Sequence, residues 1–199
     1  MVVTDFEKLD QSQHYTYGDY QTWELSERVE LIRGKIYRMS PAPGQQHQRI
    51  SGNLFLQIGI FLRGEPCQLF HAPFDVRLPL PLDLQIEAQM DTVVQPDLCV
   101  ICNPEKLRPE GCVGAPDWII EILSKSTASK DLNEKFSLYE AAGVQEYWIV
   151  HPEEGTVLPY TLDSNGKYTL TRMRPYTREE QLTSFVFPKL HIDLSEVFA

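Results

Sequence analysis

The sequence carries little positive charge. It has 18 lysine and arginine residues against 28 aspartate and glutamate residues in 199, which gives a formal net charge of -10. Proteins that bind nucleic acid by general attraction use a basic excess to displace counterions, so this net charge argues against binding of that kind. A local basic cleft is still compatible with this charge, and acidity is expected where carboxylates gather around a metal ion.

Long apolar segments are also absent. No run is long enough to cross a bilayer, and the opening MVVTDFEKLDQ has acids but no apolar stretch typical of a signal peptide. We therefore expect a cytoplasmic protein that contacts no membrane. A length of 199 residues with 42% hydrophobic residues suits one domain with a substantial core. We expect residues 1–15 to form a loose N-terminal arm and residues 16–199 a single domain.

Cysteine is scarce, and the four residues are Cys67, Cys99, Cys102 and Cys112. In a reducing compartment we expect them to be free thiols. Cys99 and Cys102 have CxxC spacing, but in the strand predicted there, positions three apart point to opposite faces. No second CxxC and no histidine pair follows, so a zinc site is disfavoured and the cysteines are interpreted as core or loop residues.

The first half of the chain predicts helices and strands in alternation. Thr16 could cap a short helix to Leu25, and VELIRGKIYRM (29–39) predicts a hairpin that turns at Arg33-Gly34. An amphipathic helix follows, because apolar residues recur at helical spacing. Its apolar face comprises Ile50, Leu54, Ile58, Phe61 and Leu62. Residues 67–80 and 93–101 read as strands, and residues 103–116 as a loop.

The second half predicts a buried sheet. DWIIEIL (117–123) has apolar residues on both faces, which favours a central strand. A helix to Ala142 ends at Gly143. Further strands cover 145–152, a hairpin around Ser164-Asn165-Gly166 and SFVF (184–187), before a terminal helical turn. This order predicts an α/β (mixed α+β) fold with a central mixed sheet, flanking helices and extra β-hairpins.

Two carboxylates interrupt the predicted core strands. Asp97 follows Gln95-Pro96 in one strand, and Glu121 lies within Trp-Ile-Ile-Glu-Ile-Leu in another. An ionised carboxylate is costly to bury unless it has a cationic partner, a metal or an open cleft. Each acid alone could reach solvent at a strand edge. As a pair on neighbouring strands, they predict a shared divalent cation, and hard oxygen ligands favour Mg²⁺ or Mn²⁺.

Several short motifs resemble one known family in their combined order. They are Gln95-Pro96-Asp97, Glu121-Ile122-Leu123-Ser124, Asp131-x-x-x-Lys135-x-x-x-Tyr139 and Glu146-Tyr147-Trp148, with Glu30-Leu31-Ile32-Arg33-Gly34, Ser40-Pro41-Ala42-Pro43, His47, Ala72-Pro73-Phe74-Asp75 and Gly114-Ala115-Pro116-Asp117 around them. Residues 16 to 198 thereby resemble the Uma-type putative restriction endonuclease family of the PD-(D/E)XK nuclease superfamily. The resemblance implies a restriction-endonuclease-like fold and a metal-dependent phosphodiester site.

The resemblance also implies roles for individual residues. Asp97 and Glu121 would be the metal ligands and, with Lys135, the catalytic residues. The superfamily expects a lysine two residues after the second acid, where this chain has Leu123. In the family it resembles, that lysine comes from the following helix, which implies Lys135; a solvated helix lysine is the alternative. Lys125 competes for the role from a loop in which the family more often has proline.

Four accessory candidates surround these three. Glu30 could be a third acid near the metal or a surface strand residue. His47 shares the inner face of its helix with Ile50 and Leu54, which favours a core histidine over a contact with the site. Tyr139 is expected in the core with its hydroxyl toward the cleft. Gln95 adjoins Asp97 in the motif.

Together with the resemblance, these residues predict a Mg²⁺- or Mn²⁺-dependent endonuclease that hydrolyses DNA. A homodimer is expected by analogy with similar folds. The alternative is a catalytically degenerate nuclease fold that acts as a nucleic-acid-binding or assembly module. The missing lysine at position 123, the acidic charge and the lack of a recognisable DNA-reading domain favour that alternative.

Overall fold

A computed structural model describes residues 2–39, 43–80, 86–124 and 134–199. The N-terminal half builds a six-stranded sheet, here called the N-terminal sheet. Its strands are β1 (Val29–Ile32), β2 (Lys35–Arg38), β4 (Val76–Arg77), β5 (Val93–Val94), β7 (Leu107–Arg108) and β8 (Gly111–Val113), in the spatial order β2-β1-β5-β4-β8-β7. β1 and β2 form the predicted hairpin, because Arg33 and Gly34 both adopt the positive φ that a tight hairpin turn needs.

A second sheet, here called the central sheet, carries most of the core. Its strands are β3 (Gln68–His71), β6 (Leu98–Ile101), β9 (Trp118–Ile122), β10 (Glu146–His151), β11 (Thr156–Leu162), β12 (Tyr168–Leu170) and β13 (Tyr176–Thr177). The order is β12-β11-β10-β9-β6-β3, with β13 beside β11. Only β9 and β10 run parallel within it, so the predicted mixed sheet is confirmed. β9 is fully buried at its centre, as predicted.

Helices cover both faces of the central sheet. The described α-helices are α1 (Tyr17–Tyr20), α2 (Gln45–Phe61), α3 (Phe136–Ala142) and α4 (Leu194–Val197), and of these α1 packs against the N-terminal sheet instead. The buried side of α2 packs against one face of β9 and β10, and α3 packs against the other. α3 ends at Gly143, whose φ of 83° forms the left-handed cap expected there. Among the described residues, no helix combines the length and apolarity needed to span a membrane.

Two predicted long strands are instead broken between the sheets. The 67–80 segment forms β3 and β4, separated by a cis Ala72-Pro73 peptide bond. The 93–101 segment forms β5 and β6, so Asp97 lies in a crossover immediately before β6 rather than inside a strand. Proline has no N–H to donate to a strand partner, so each ladder is interrupted at Pro73 and Pro96.

Other sequence predictions need correction in the loops and at the ends. Residues 103–116 contain the β7–β8 hairpin rather than a plain loop. The strand predicted at 184–187 lies earlier, where β14 (Gln181–Thr183) pairs with β15 (His191–Asp193). The helix predicted from Tyr17 ends at Tyr20. The arm expected to be loose is packed, because Leu9 and Tyr15 are buried beside β1.

The prediction of four free thiols is wrong for two of them. Cys67 and Cys102 form a disulfide, whereas Cys99 and Cys112 are free and buried. The cause is strand register. Gln68 pairs with Ile101 in the antiparallel β3–β6 ladder, so the next residues outward, Cys67 and Cys102, face each other. That long-range pairing is invisible in a CxxC spacing.

Candidate active site

Asp97 sits at the crossover between the sheets, beside the end of β9. The β6–β9 register pairs Leu98 with Ile120, so its continuation places Asp97 opposite Glu121. The Asp97 Oδ2 accepts a 2.8 Å hydrogen bond from the backbone N–H of Ile122. The side chain of Asp97 is 22% exposed, so this carboxylate is both fixed by β9 and open to solvent.

Glu121 is buried and held by two donors from the helical region. The Lys135 Nζ lies 2.8 Å from Glu121 Oε1, and the Tyr139 hydroxyl donates to the same oxygen at 2.7 Å. Lys135 is 4% exposed and stands in the turn immediately before α3. The alternative of a solvated helix lysine is therefore excluded. Burial and the negative charge of Glu121 raise the pKa of Tyr139, which keeps its hydroxyl protonated as a donor.

Glu30 brings the N-terminal sheet into the same cluster. It is 1% exposed on β1, and its Oε1 lies 3.0 Å from Lys135 Nζ. The same oxygen accepts a 2.9 Å hydrogen bond from the backbone N–H of Gln95. Glu30 is thus a buried acid beside Lys135, rather than a surface strand residue.

His47 reaches the site from the N-terminal turns of α2. Its Nε2 lies 3.2 Å from Asp97 Oδ2, and its side chain is 13% exposed. Sequence reasoning favoured a core histidine, but the structure places it in contact with the site. The reason is position along the helix: His47 precedes the buried residue Ile50 by about one turn, in the more exposed first turns of α2.

The oxygen donors fit a small, hard divalent cation. Mg²⁺ is commonly held by one or two carboxylates, while water and substrate phosphate complete its shell. Asp97 and Glu121 lie opposite each other at one strand end and could supply those carboxylates. Among the residues that the structure describes, no three His, Cys, Asp or Glu side chains form a ready-made metal cluster.

All seven candidate residues lie in one region, linked by hydrogen bonds or register. They are Glu30, His47, Gln95, Asp97, Glu121, Lys135 and Tyr139. Lys125, the competing lysine, lies outside the described residues, as do Asp131 of the resemblance motifs and most of Ser40-Pro41-Ala42-Pro43.

Asp75 is a neighbour that the sequence placed in a resemblance motif but not among the candidate site residues. Gln95 Nε2 donates to Asp75 Oδ1 at 2.8 Å, and the Tyr20 hydroxyl lies 3.4 Å from that oxygen. Burial raises the pKa of Asp75. In the sequence, Asp75 occupies an ordinary polar position between Phe74 and Val76, so no local signal marked it as a site residue.

Comparisons with known proteins agree with this architecture. The family model described as "Uma2: Putative restriction endonuclease" matches residues 17–195. A crystal structure titled as a putative nuclease belonging to DUF820, from Anabaena variabilis, has a TM-score of 0.68 at 20% identity. It covers 92% of this chain and 97% of that chain. At this identity the likeness establishes the fold, and the prediction of a nuclease-type fold is confirmed.

Two Synechocystis proteins are similar in sequence. Uncharacterized protein slr1290 is 25% identical over 165 residues, which is 81% of this chain and 82% of the relative. Uncharacterized protein sll1609 is 28% identical over 130 residues, or 64% and 68% of the two chains. With the family model matched from Tyr17 almost to the end, the chain belongs to the Uma2 family of putative restriction endonucleases.

Proposed function

We propose that this chain is a Mg²⁺- or Mn²⁺-dependent endonuclease that hydrolyses phosphodiester bonds in DNA. The observation that carries the proposal is the buried Lys135, whose ammonium lies 2.8 Å from Glu121 at the strand end opposite Asp97. Two carboxylates and a lysine at one cleft are the groups that metal-assisted phosphodiester hydrolysis uses. The family match supports a nuclease, and the DNA substrate and the metal are our extension of it.

The residues have separable tasks in this proposal. Asp97 and Glu121 would hold the divalent cation, which when bound polarises a phosphoryl oxygen and lowers the pKa of water. The Ile122 N–H fixes the Asp97 carboxylate, and the Tyr139 hydroxyl fixes that of Glu121. These hydrogen bonds reduce the reorganisation needed when substrate arrives.

Lys135 would supply positive charge to the reacting phosphate. Hydrolysis adds water to phosphorus and breaks one P–O ester bond, so negative charge builds on the phosphoryl oxygens. A preorganised ammonium stabilises that charge best in a water-poor site. Glu30 positions Lys135 from the opposite sheet, at 3.0 Å. In this proposal, the turn before α3 supplies the positive charge that the superfamily expects at the position of Leu123.

The test is a cleavage assay on supercoiled plasmid, single-stranded DNA and RNA with Mg²⁺ or Mn²⁺. We expect wild type to nick or cut DNA, and Asp97→Ala and Glu121→Ala each to lower the rate by about 10³-fold. Glu65→Gln, which changes an exposed acid, is the matched control and should cleave like wild type. Equal rates for wild type and both alanine variants would refute the proposal.

The degenerate-nuclease alternative has its own support. Lys135 is already neutralised by two carboxylates, and the described residues contain no ready-made metal cluster. Calorimetry with Mg²⁺ and Mn²⁺ separates the two functions. Metal binding that Asp97→Ala abolishes favours the enzyme, whereas salt-dependent DNA binding without metal binding or cleavage favours a binding module. The homodimer stays a prediction, which light scattering of the purified chain checks.

A further inference from the structure

A pocket of about 190 Å³ borders the candidate active site. Its walls come from the segment that runs from the end of α1 to the start of β1, and Gln95 of the crossover also lines it. Gln95 connects the pocket to the site, because its backbone N–H donates to Glu30 Oε1. None of the catalytic roles proposed above uses this space.

Two aromatic rings form part of the pocket wall. Tyr20 and Trp23 are both half-buried, with ring centroids 5.6 Å apart and planes tilted by 55°. Tyr15 packs edge-on against Trp23 at 5.2 Å, which holds the indole in place. Aromatic rings at a protein surface are sequence-tolerant platforms on which nucleobases stack.

Gln95 adds an unsatisfied hydrogen-bond acceptor to the residues that line the pocket. Gln95 is 8% exposed, and its Oε1 is buried with no hydrogen-bond partner in the described part of the chain. The amide orientation is fixed, because Nε2 donates to Asp75 Oδ1 at 2.8 Å. A buried acceptor without a donor carries a desolvation cost, which a ligand N–H would relieve.

Arg28 places an uncommitted positive charge beside the pocket. Its side chain is exposed and makes no ion pair with any described residue. Glu27, which also lines the pocket, lies 3.6 Å from Arg38 and is thereby partly neutralised. In a chain of net charge -10, an exposed guanidinium beside aromatic rings suits a phosphate group.

We propose that this pocket binds one unstacked nucleotide of the substrate strand. Tyr20 and Trp23 contact the base, Gln95 Oε1 accepts a hydrogen bond from its edge, and Arg28 contacts a flanking phosphate. A base inside an intact duplex cannot reach such a pocket, so the preferred substrate is single-stranded or carries an unpaired base. The inference rests on the proposed function in taking a nucleic acid as ligand, but it requires no cleavage.

The test measures binding in EDTA, where metal-dependent cleavage is prevented. The chain has three tryptophans, and Trp118 and Trp148 are fully buried, so quenching of emission by a stacked base reports on Trp23. Probes are a mixed-sequence single strand, its perfect duplex, the same duplex with one bulged base, and a mononucleotide. We expect saturable quenching by the single strand and bulged duplex, with Kd at least about tenfold lower than for the perfect duplex or mononucleotide.

Variants test the individual contacts by anisotropy of a labelled single strand. Trp23→Ala should raise Kd about tenfold or more, and Gln95→Met and Arg28→Ala about tenfold each. Arg63→Ala removes the same charge at an exposed position beyond the far end of α2 and should bind like wild type. Arg28→Ala lies on the surface, so it keeps the test valid even if Gln95→Met perturbs Asp75.

Two results would overturn the inference. Arg28→Ala and Gln95→Met could bind as tightly as Arg63→Ala, or the perfect duplex or mononucleotide could bind as tightly as the single strand. Failure of the proposed function looks different. If the chain shows the expected quenching but cleaves nothing, the nucleotide pocket is supported and the proposed nuclease function fails. If it cleaves DNA without selective quenching, the nuclease function is supported and the nucleotide pocket fails.

Discussion

Glu121 and Glu146 are buried carboxylates on the adjacent parallel strands β9 and β10, yet their partners differ in charge. Glu121 contacts the Lys135 ammonium and the Tyr139 hydroxyl. Glu146 is held by neutral groups: the Trp148 indole N–H, the Ser184 hydroxyl and the backbone N–H groups of Phe185 and Val186, at 2.6 to 3.0 Å.

The two environments have different consequences. Four donors from two parts of the chain satisfy both oxygens of Glu146, so this carboxylate fixes the segment after β14 against β10. Glu121 instead lies in a cluster with Glu30 and Lys135 next to the partly exposed Asp97. Because the partner of Glu121 is a cationic side chain next to a partly exposed acid, this carboxylate could exchange that partner for a metal ion. Burial alone does not distinguish a structural acid from a functional one.

The largest difference between Glu121 and Glu146 is expected in the rate of DNA cleavage. Glu121→Gln keeps the shape but removes the charge, and should lower the DNA cleavage rate by about 10³-fold. Glu146→Gln makes the same change one strand away and should leave the rate within about threefold, a range that corresponds to less than one kcal/mol. The measurement is plasmid nicking with Mg²⁺ or Mn²⁺. A similar loss of nicking rate in both variants would contradict the different roles assigned to the two glutamates.

Stability should respond in the opposite order. Glu146→Ala leaves four buried donors without their acceptor, and we expect the free energy of unfolding to fall by about 4 kcal/mol. Glu121→Ala should cost less, because Lys135 retains Glu30 as a partner. Urea denaturation followed by circular dichroism measures both. A smaller loss for Glu146→Ala than for Glu121→Ala would contradict a structural role for Glu146.

Removal of Lys135 should lower the free energy of unfolding, and a divalent cation should restore part of that loss. Lys135→Met leaves Glu30 and Glu121 buried without their shared cation, which we expect to cost about 3 kcal/mol. A divalent cation that binds the carboxylates would restore part of this stability, whereas it should not help Glu146→Ala. Thermal melts of both variants with and without Mg²⁺ make the comparison. Identical responses to Mg²⁺ would argue against a metal at Glu121.

The smallest effect concerns pH. Burial, the largest influence, raises the pKa of Glu146 above its ordinary value of 4.5, although its hydrogen bonds oppose the shift. Between 4.5 and the raised value, the folded chain holds a proton that the unfolded chain has released. Stability from this group is therefore full below that window and falls as pH rises through it. Urea titrations across the window should show wild type losing stability relative to Glu146→Gln, and a constant difference would contradict the assignment.

Much of the fold was accessible from local patterns. The β1–β2 hairpin, α2, the central β9 and the stop at Gly143 each follow from a few adjacent residues. The division into two sheets was not accessible, because both broken strands keep an unbroken apolar alternation across Pro73 and Pro96. Which ladder each half joins depends on partners far along the chain, as does the disulfide between Cys67 and Cys102.

The candidate site likewise has some features that the sequence predicts and others that it does not. Asp97 and Glu121 stand out because charges are costly in apolar strands, and the resemblance pointed to Lys135. The contact between His47 and Asp97 could not be predicted, since helical periodicity identifies a face but not where the core ends. The pocket at Tyr20 and Trp23 was also missed, because its walls and Gln95 lie about 70 residues apart in sequence.

The crossover at Gln95-Pro96-Asp97 also limits the distance between the pocket and the candidate active site. Gln95 lines the pocket and Asp97 faces β9, and their Cα atoms can be at most about 7.6 Å apart across two peptide units. A nucleotide captured at one end and a bond cut at the other would then be near neighbours on the strand. The three residues would thereby fix the distance between the bound nucleotide and the cleaved bond. Cuts on a substrate with one bulged base should therefore cluster within one or two nucleotides of the bulge.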